Sequence, residues 1–242
     1  MNSFKLIPAL LLGCSISARA NIIYDNNFNG AFANGAYIPP GSLTGWSDSE
    51  TISGESGVIS SLTVNLNITG GYNGNLYGYL SYDGVLVTLL NRVGVGSSTP
   101  TSSALGYWDS GFDITLSSTA ANNLHFYQNL PGFSLNANGQ LTGAWQPDGS
   151  ALSPLSPPSS FDSSPGAQTL NSYAGLDPNG TWTLFIADVV SGGGQSQLDS
   201  YSLDITTTQA VSMVPEPGGP LAGILAGLFA LGSLFTQRRA AK

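Results

Sequence analysis

Cysteine is almost missing from this chain of 242 residues: Cys14 stands alone, so no intrachain disulfide can form and thiolate metal sets are excluded. Histidine is equally scarce. A Ser-His-Asp hydrolase needs an imidazole to take the nucleophile's proton, and only His125 can offer one; no serine lies in a G-x-S-x-G turn. Positive charge is the third shortage. Lys5, Arg19, Arg238, Arg239 and Lys242 sit at the two ends, which leaves Arg92 as the only basic residue in 21–217 against all fourteen acidic residues. Such a surface repels phosphate backbones, so nucleic acid is not an expected partner. Between the termini no long apolar run and no convincing helical repeat occurs. The abundance of Gly (31 residues), Ser, Asn and Thr points instead to short strands and many turns.

The two ends read as addresses. Lys5, the apolar stretch 6–16 and Ala18-Arg19-Ala20 form the n-region, h-region and A-x-A site of a secretory signal peptide, with cleavage expected before Asn21. A second parse takes Leu11-Leu12-Gly13-Cys14 as a lipobox with a lipidated Cys14. At the other end, Val214-Pro215-Glu216-Pro217 leads into the apolar run 221–235, closed by Arg238, Arg239 and Lys242. As a helix this run reaches only about 22 Å, short of a hydrocarbon core of roughly 30 Å, so it predicts a short transmembrane helix with its cations on the cytoplasmic side. Pro-Glu-Pro, a short apolar helix and a terminal arginine cluster resemble the PEP-CTERM sorting signal of exported Gram-negative proteins. The resemblance implies processing by an exosortase, with Val214, Pro215, Glu216, Pro217, Arg238 and Arg239 as the sorting motif. It also implies a transient inner-membrane anchor, then delivery to the cell surface or extracellular matrix, in association with exopolysaccharide or biofilm.

Three parts follow: a signal peptide (1–20), an exported domain (21–210) and the sorting segment (211–242). Within the domain, apolar and polar residues alternate over 62–68, 112–116 and 182–186, each a strand with one buried face. Further strands are expected at 76–81, 85–90, 124–127 and 201–205, with Tyr82-Asp83-Gly84 closing a hairpin. Regular turns between short strands predict an all-β antiparallel sandwich. The pattern dissolves into Ser and Pro over 147–168, which reads as a long surface loop.

The order of these pieces resembles the P domain (Homo B domain) that accompanies subtilisin-like proprotein convertases. Ile38-Pro39-Pro40-Gly41, the strand 58–68, Gly74-Asn75-Leu76-Tyr77-Gly78-Tyr79-Leu80 and Asn91-Arg92-Val93-Gly94 match its first half. Leu141-Thr142-Gly143-Ala144-Trp145-Gln146-Pro147-Asp148-Gly149, then Gly180-Thr181-Trp182-Thr183-Leu184 followed by Asp188, then 197–203, match its second. The resemblance covers 38–206 and implies a jelly-roll sandwich of the galactose-binding-like type. It brings no catalytic domain, and two positions where the family is often acidic are neutral here, at Asn75 and in Ser117-Ser118-Thr119-Ala120.

Chemistry has few footholds. Asp48 with Glu50, or Asp109 with Asp113, are carboxylate pairs by proximity in sequence, as a glycosidase would need. Asp25, Asn27 and Asn29 match the start of a calcium loop, but the bidentate acid of position twelve is replaced by Ala36, and an Asn-rich turn is the simpler reading. Tyr107 and Trp108, beside Gly106 in an expected loop, are the candidate glycan contacts, since exposed rings stack on sugar faces. No cofactor is expected, with calcium at Asp25, Asn27 and Asn29 the alternative. The sequence thus reads as a non-enzymatic surface or matrix protein; the alternatives are a non-catalytic module associated with a secreted subtilisin-like protease, or a glycan-active enzyme.

Overall fold

The computed structural model describes residues 18–27, 36–162 and 166–209. The region Ser17–Gln209 forms one compact unit, built from two packed sheets. The larger runs β1 (Ala18–Asn27), β10 (Ser196–Gln209), β4 (Val58–Thr69), β7 (Gly111–Ser117), β8 (Leu141–Trp145), with β2 (Ala36–Ile38) also paired to β10. The smaller runs β3 (Trp46–Ile52), β9 (Gly180–Asp188), β5 (Leu76–Tyr82), β6 (Val85–Asn91). An all-β sandwich is therefore the observed architecture.

Period-two patterning decides which face of each strand is buried. In β4 the residues Leu62, Val64, Leu66 and Ile68 are buried while Thr63, Asn65 and Asn67 are not. β10 repeats the pattern with Leu203 and Ile205 inward. The expected hairpin is present: β5 and β6 pair from Tyr82↔Val85 outward, and Asp83 and Gly84 both adopt positive φ (47° and 74°), as a two-residue turn matched to strand twist requires.

Between the sheets Trp182 of β9 stacks on Tyr82 of β5, with centroids 3.9 Å apart and planes 4° from parallel. Its indole N–H donates to the Pro178 carbonyl at 3.1 Å, so the ring is buried without an unpaired donor. Tyr173 closes the cluster from the side and donates its hydroxyl to the Leu80 carbonyl at 2.6 Å. The Gly-Thr-Trp-Thr-Leu motif is thus spent on the core.

Two expectations change. The segment 124–127 is not a strand: Leu124 and His125 follow an isolated parallel bridge, Asn123↔Gln146, and the chain then turns into a 3-10 turn, Tyr127–Asn129. The Asn123 side chain accepts the His125 N–H at 2.8 Å, a local bond that competes with ladder pairing. The sandwich is not wholly antiparallel, since β7 and β8 run parallel. β1 begins at Ala18, and its pairing with β10 runs from Ala18↔Gln209 to Asn27↔Ser200.

Among its described residues the loop 147–168 carries one short helix, Pro158–Phe161. The sorting motif and the run 221–235 lie outside the described residues; among the described residues no helix is long and apolar enough to cross a membrane.

Candidate functional site

Two loops at one end of the sandwich are pressed together until their backbones touch. A Cβ on Gly74 would lie 2.6 Å from the Gly106 Cα and 2.5 Å from the Leu105 carbonyl oxygen, so only glycine fits this crossing. Backbone bonds fix it: the Gly74 N–H donates to the Tyr107 carbonyl at 2.8 Å and the Asn73 N–H to the Asp109 carbonyl at 3.0 Å. Buried Asn73 locks the loops to the sheet. It donates to the Gly111 carbonyl at 3.0 Å and accepts the Gly111 N–H at 2.8 Å.

This crossing sets Tyr72 beside Trp108. The rings stack with centroids 6.1 Å apart and 24° between planes, and Trp108 stays 64% exposed. Leu105, 54% exposed, stands next to them. One flank is a depression of about 200 Å³ lined by Tyr72, Leu105, Trp108, Val190 and the glycines 192–193. The other, of about 360 Å³, sets the polar side chains of Thr101, Ser103, Asp109 and Gln128 beside Tyr107 and Trp108. The Asp109 carboxylate accepts bonds from the Tyr127 hydroxyl and from Gln128 Nε2. Burial raises the Tyr127 hydroxyl far above its usual pKa, and the Asp109 carboxylate adds to the shift, so this hydroxyl remains a proton donor.

Of the two aromatic residues the sequence offers here, only Trp108 is presented to solvent. Tyr107 is 3% exposed; its ring packs edge-on against Tyr127 at 4.7 Å and its hydroxyl meets Thr101 at 3.3 Å. Tyr72 takes the place expected of Tyr107. Its signal in the sequence is Gly70-Gly71-Tyr72, a ring at a glycine turn.

The remaining candidates are dispersed. Asp48 and Glu50 lie on the same side of β3, where Asp48 accepts the Tyr201 hydroxyl at 2.7 Å. Asp109 belongs to the aromatic end and Asp113 to the outer face of β7. Asp25 and Asn27 are paired residues of β1, and Asn29 falls outside the described residues. Among the described residues no group of three metal-ligating side chains is assembled.

His125 is buried with both ring nitrogens engaged, Nδ1 at 2.6 Å from Asp148 Oδ2 and Nε2 at 3.0 Å from the Val95 carbonyl. Among the described residues the ring nitrogens bond to a carboxylate and a carbonyl, and neither bonds to a hydroxyl. Phe161 lies parallel to the ring at 5.8 Å. Asp188, fully buried at the end of β9, accepts the Val190 N–H at 3.3 Å and the Ser196 hydroxyl at 3.4 Å. Burial pushes its carboxyl up to about 6, against the opposing pull of those two bonds.

No family model matches the chain, and no curated protein matches it. Among solved structures it is similar to the Aeromonas sobria serine protease in complex with the chaperone ORF2, at 16% identity and TM-score 0.43, over 80% of this chain and 28% of that one. A structure of the serine protease of Aeromonas sobria matches at 15% identity and TM-score 0.41, over 78% and 27%. The chain therefore spans under a third of the length of these proteins.

Proposed function

We propose that the chain is an exported, non-catalytic module of the P-domain type that associates with a separate secreted subtilisin-like protease through its Tyr72–Trp108 end. The observation that carries this reading is the use made of the P-type segments. The segments 76–80, 85–91 and 180–188 supply adjacent strands of the smaller sheet, with Trp182 as their anchor, while His125 is committed to Asp148 and Val95. What remains for function is a contact surface. An exposed tryptophan flanked by tyrosine and leucine has the composition of an interface anchor. The test is the thermal half-life of secreted serine-protease activity from the native host with and without added chain. Lengthening by the wild-type chain, and not by Trp108→Ala, supports the reading; no change with either argues against it.

The second reading is a matrix role, favoured by one specific observation: the stacked rings of Trp108 and Tyr72 stand beside the depression that holds the polar side chains of Asp109 and Gln128, an arrangement suited to stacking on a sugar and hydrogen-bonding its hydroxyls. In this reading the signal peptide and the PEP-CTERM-like segment 211–242 deliver the domain, after exosortase processing, to exopolysaccharide at the cell surface. Intact masses of the protein from inner membrane, outer membrane and medium test the delivery. A surface form that starts at Asn21 and ends near Pro217 supports it; a full-length chain confined to the inner membrane removes it.

A further inference from the structure

The outer face of the larger sheet carries a groove of about 390 Å³ that shares no lining residue with the aromatic end. Strand register builds it in ranks. One rank runs Ser202 (β10), Asn65 (β4), Thr115 (β7); the next runs Ser200, Asn67, Asp113. At β8 the wall drops to Gly143, which has φ of 101° and no side chain, and opens the groove on that side.

The polar groups of the first rank are already ordered. The Thr115 hydroxyl donates to Asn65 Oδ1 at 2.6 Å, and Asn65 Nδ2 donates to Ser202 Oγ at 2.9 Å. In the second rank, buried Gln140 holds Asn67 by a 2.8 Å bond to its Oδ1. Such a surface is pre-organised, so a ligand would lose little to ordering it. Among the described residues no aromatic ring faces the groove: Tyr201 contributes to its floor but sends its hydroxyl to Asp48 on the other sheet. Recognition here must therefore work by hydrogen bonds and charge rather than by stacking.

Charge selects the occupant. Asp113 is exposed in the groove and takes no ion pair among the described residues. Asp204 lies two residues beyond Ser202 along β10, and Asp25 is opposite Ser202 on β1. Cations are sparse among the described residues: Arg19 pairs with Thr208, six positions along β10 from Ser202, and Arg92 is 9% exposed and donates to the Gly74 and Pro154 carbonyls. An acidic polymer is repelled by this face, whereas a polymer bearing ammonium groups, each with three donors and no acceptor, complements it.

We propose that this groove is a binding site for a polysaccharide of hexosamine units with free amines, the ammonium groups held by Asp113 and the sugar hydroxyls by Asn65, Asn67, Ser200 and Ser202. The site is independent of the protease reading and of the Tyr72–Trp108 face. The test uses the full chain in mild detergent, titrated with a glucosamine hexamer and with its N-acetylated counterpart. The free-amine hexamer binds, with an affinity that falls as salt rises; Asp113→Asn weakens it by about two- to fivefold, as expected for loss of one exposed charge pair; and Ser200→Lys abolishes it. Trp108→Ala leaves this binding intact. Equal binding of the acetylated hexamer, or unchanged binding by Asp113→Asn and Ser200→Lys, overturns the proposal. Loss on Trp108→Ala alone also overturns it, because the sugar then sits on the aromatic platform.

Discussion

His125 Nδ1 lies 2.6 Å from Asp148 Oδ2, the one ion pair among the described residues, while the same ring turns Nε2 to the Val95 carbonyl at 3.0 Å. Both neighbours are acceptors, so only the imidazolium, with two N–H donors, satisfies them together. The ring joins three segments that share no strand: the turn after β6 through Val95, the bridge at Asn123, and the start of the loop 147–168 through Asp148. Asp162, the other carboxylate acting on the ring, holds the same region by accepting the Ser97 N–H at 2.7 Å.

The first prediction concerns pH. Burial opposes the charge on His125, but the hydrogen bond and charge of Asp148, with the Val95 carbonyl and Asp162, outweigh it and raise the folded-state pKa above 6.5. The pair's contribution is thus fully present below pH 6.5 and is lost as pH rises through the folded pKa. Urea unfolding across pH 5.5–8.5 should show stability declining on the alkaline side, and His125→Gln should reduce that slope, leaving the part near pH 6 that belongs to Asp188. Asp148→Ala leaves a buried ring without its partner and should cost about 3 kcal/mol at pH 6.

Asp188 predicts the opposite kind of variant. Its carboxyl is raised to about 6, so protonation favours the folded state and stability falls as pH rises from the unfolded value near 3.8 through 6. Asp188→Asn removes the buried charge. Unfolding at pH 7.5 should then show a gain of about 2 kcal/mol, shrinking to nothing near pH 4. A variant less stable than wild type at pH 7.5 would mean that the carboxylate itself is required.

Two tryptophans separate structure from contact. Trp182→Ala empties the space against Tyr82 and Tyr173 and should cost about 3–5 kcal/mol in chemical denaturation. Trp108→Ala should stay within about 0.5 kcal/mol of wild type, as exposed positions do, while the binding attributed to its face is lost.

The platform itself depends on a glycine. Gly74→Ala brings a Cβ to 2.5 Å from the Leu105 carbonyl oxygen and must part the two loops. The expected result is a shift of Trp108 fluorescence toward the solvent-exposed value, with a loss of stability. An unchanged spectrum would show that the loops do not need this crossing.

Much of the fold was legible because alternation is a local signal: 62–68, 112–116 and 182–186 each name their buried face, and Asp83-Gly84 names the turn. β3 escaped because its inward positions Asp48 and Glu50 are acidic, and β8 because Thr142-Gly143-Ala144 carries no large apolar residue. The site was half legible. Trp108 beside a glycine marked an exposed ring, but its pairing with Tyr72 is made by the contact of Gly74 with Gly106, 32 positions apart. The burial of Tyr107 and the role of Asn73 depend on the same tertiary crossing. The outer groove is invisible to sequence because its ranks exist only once β4, β7 and β10 are in register.

The most direct test of the central claim is co-elution. The tagged chain is expressed in its native host, captured from the culture medium and assayed for serine-protease activity blocked by phenylmethylsulfonyl fluoride, beside the Trp108→Ala variant. The account predicts inhibitor-sensitive activity eluting with the wild-type chain and depleted with the variant. A wild-type chain that elutes without protease activity, from medium in which that activity is plentiful, would contradict it.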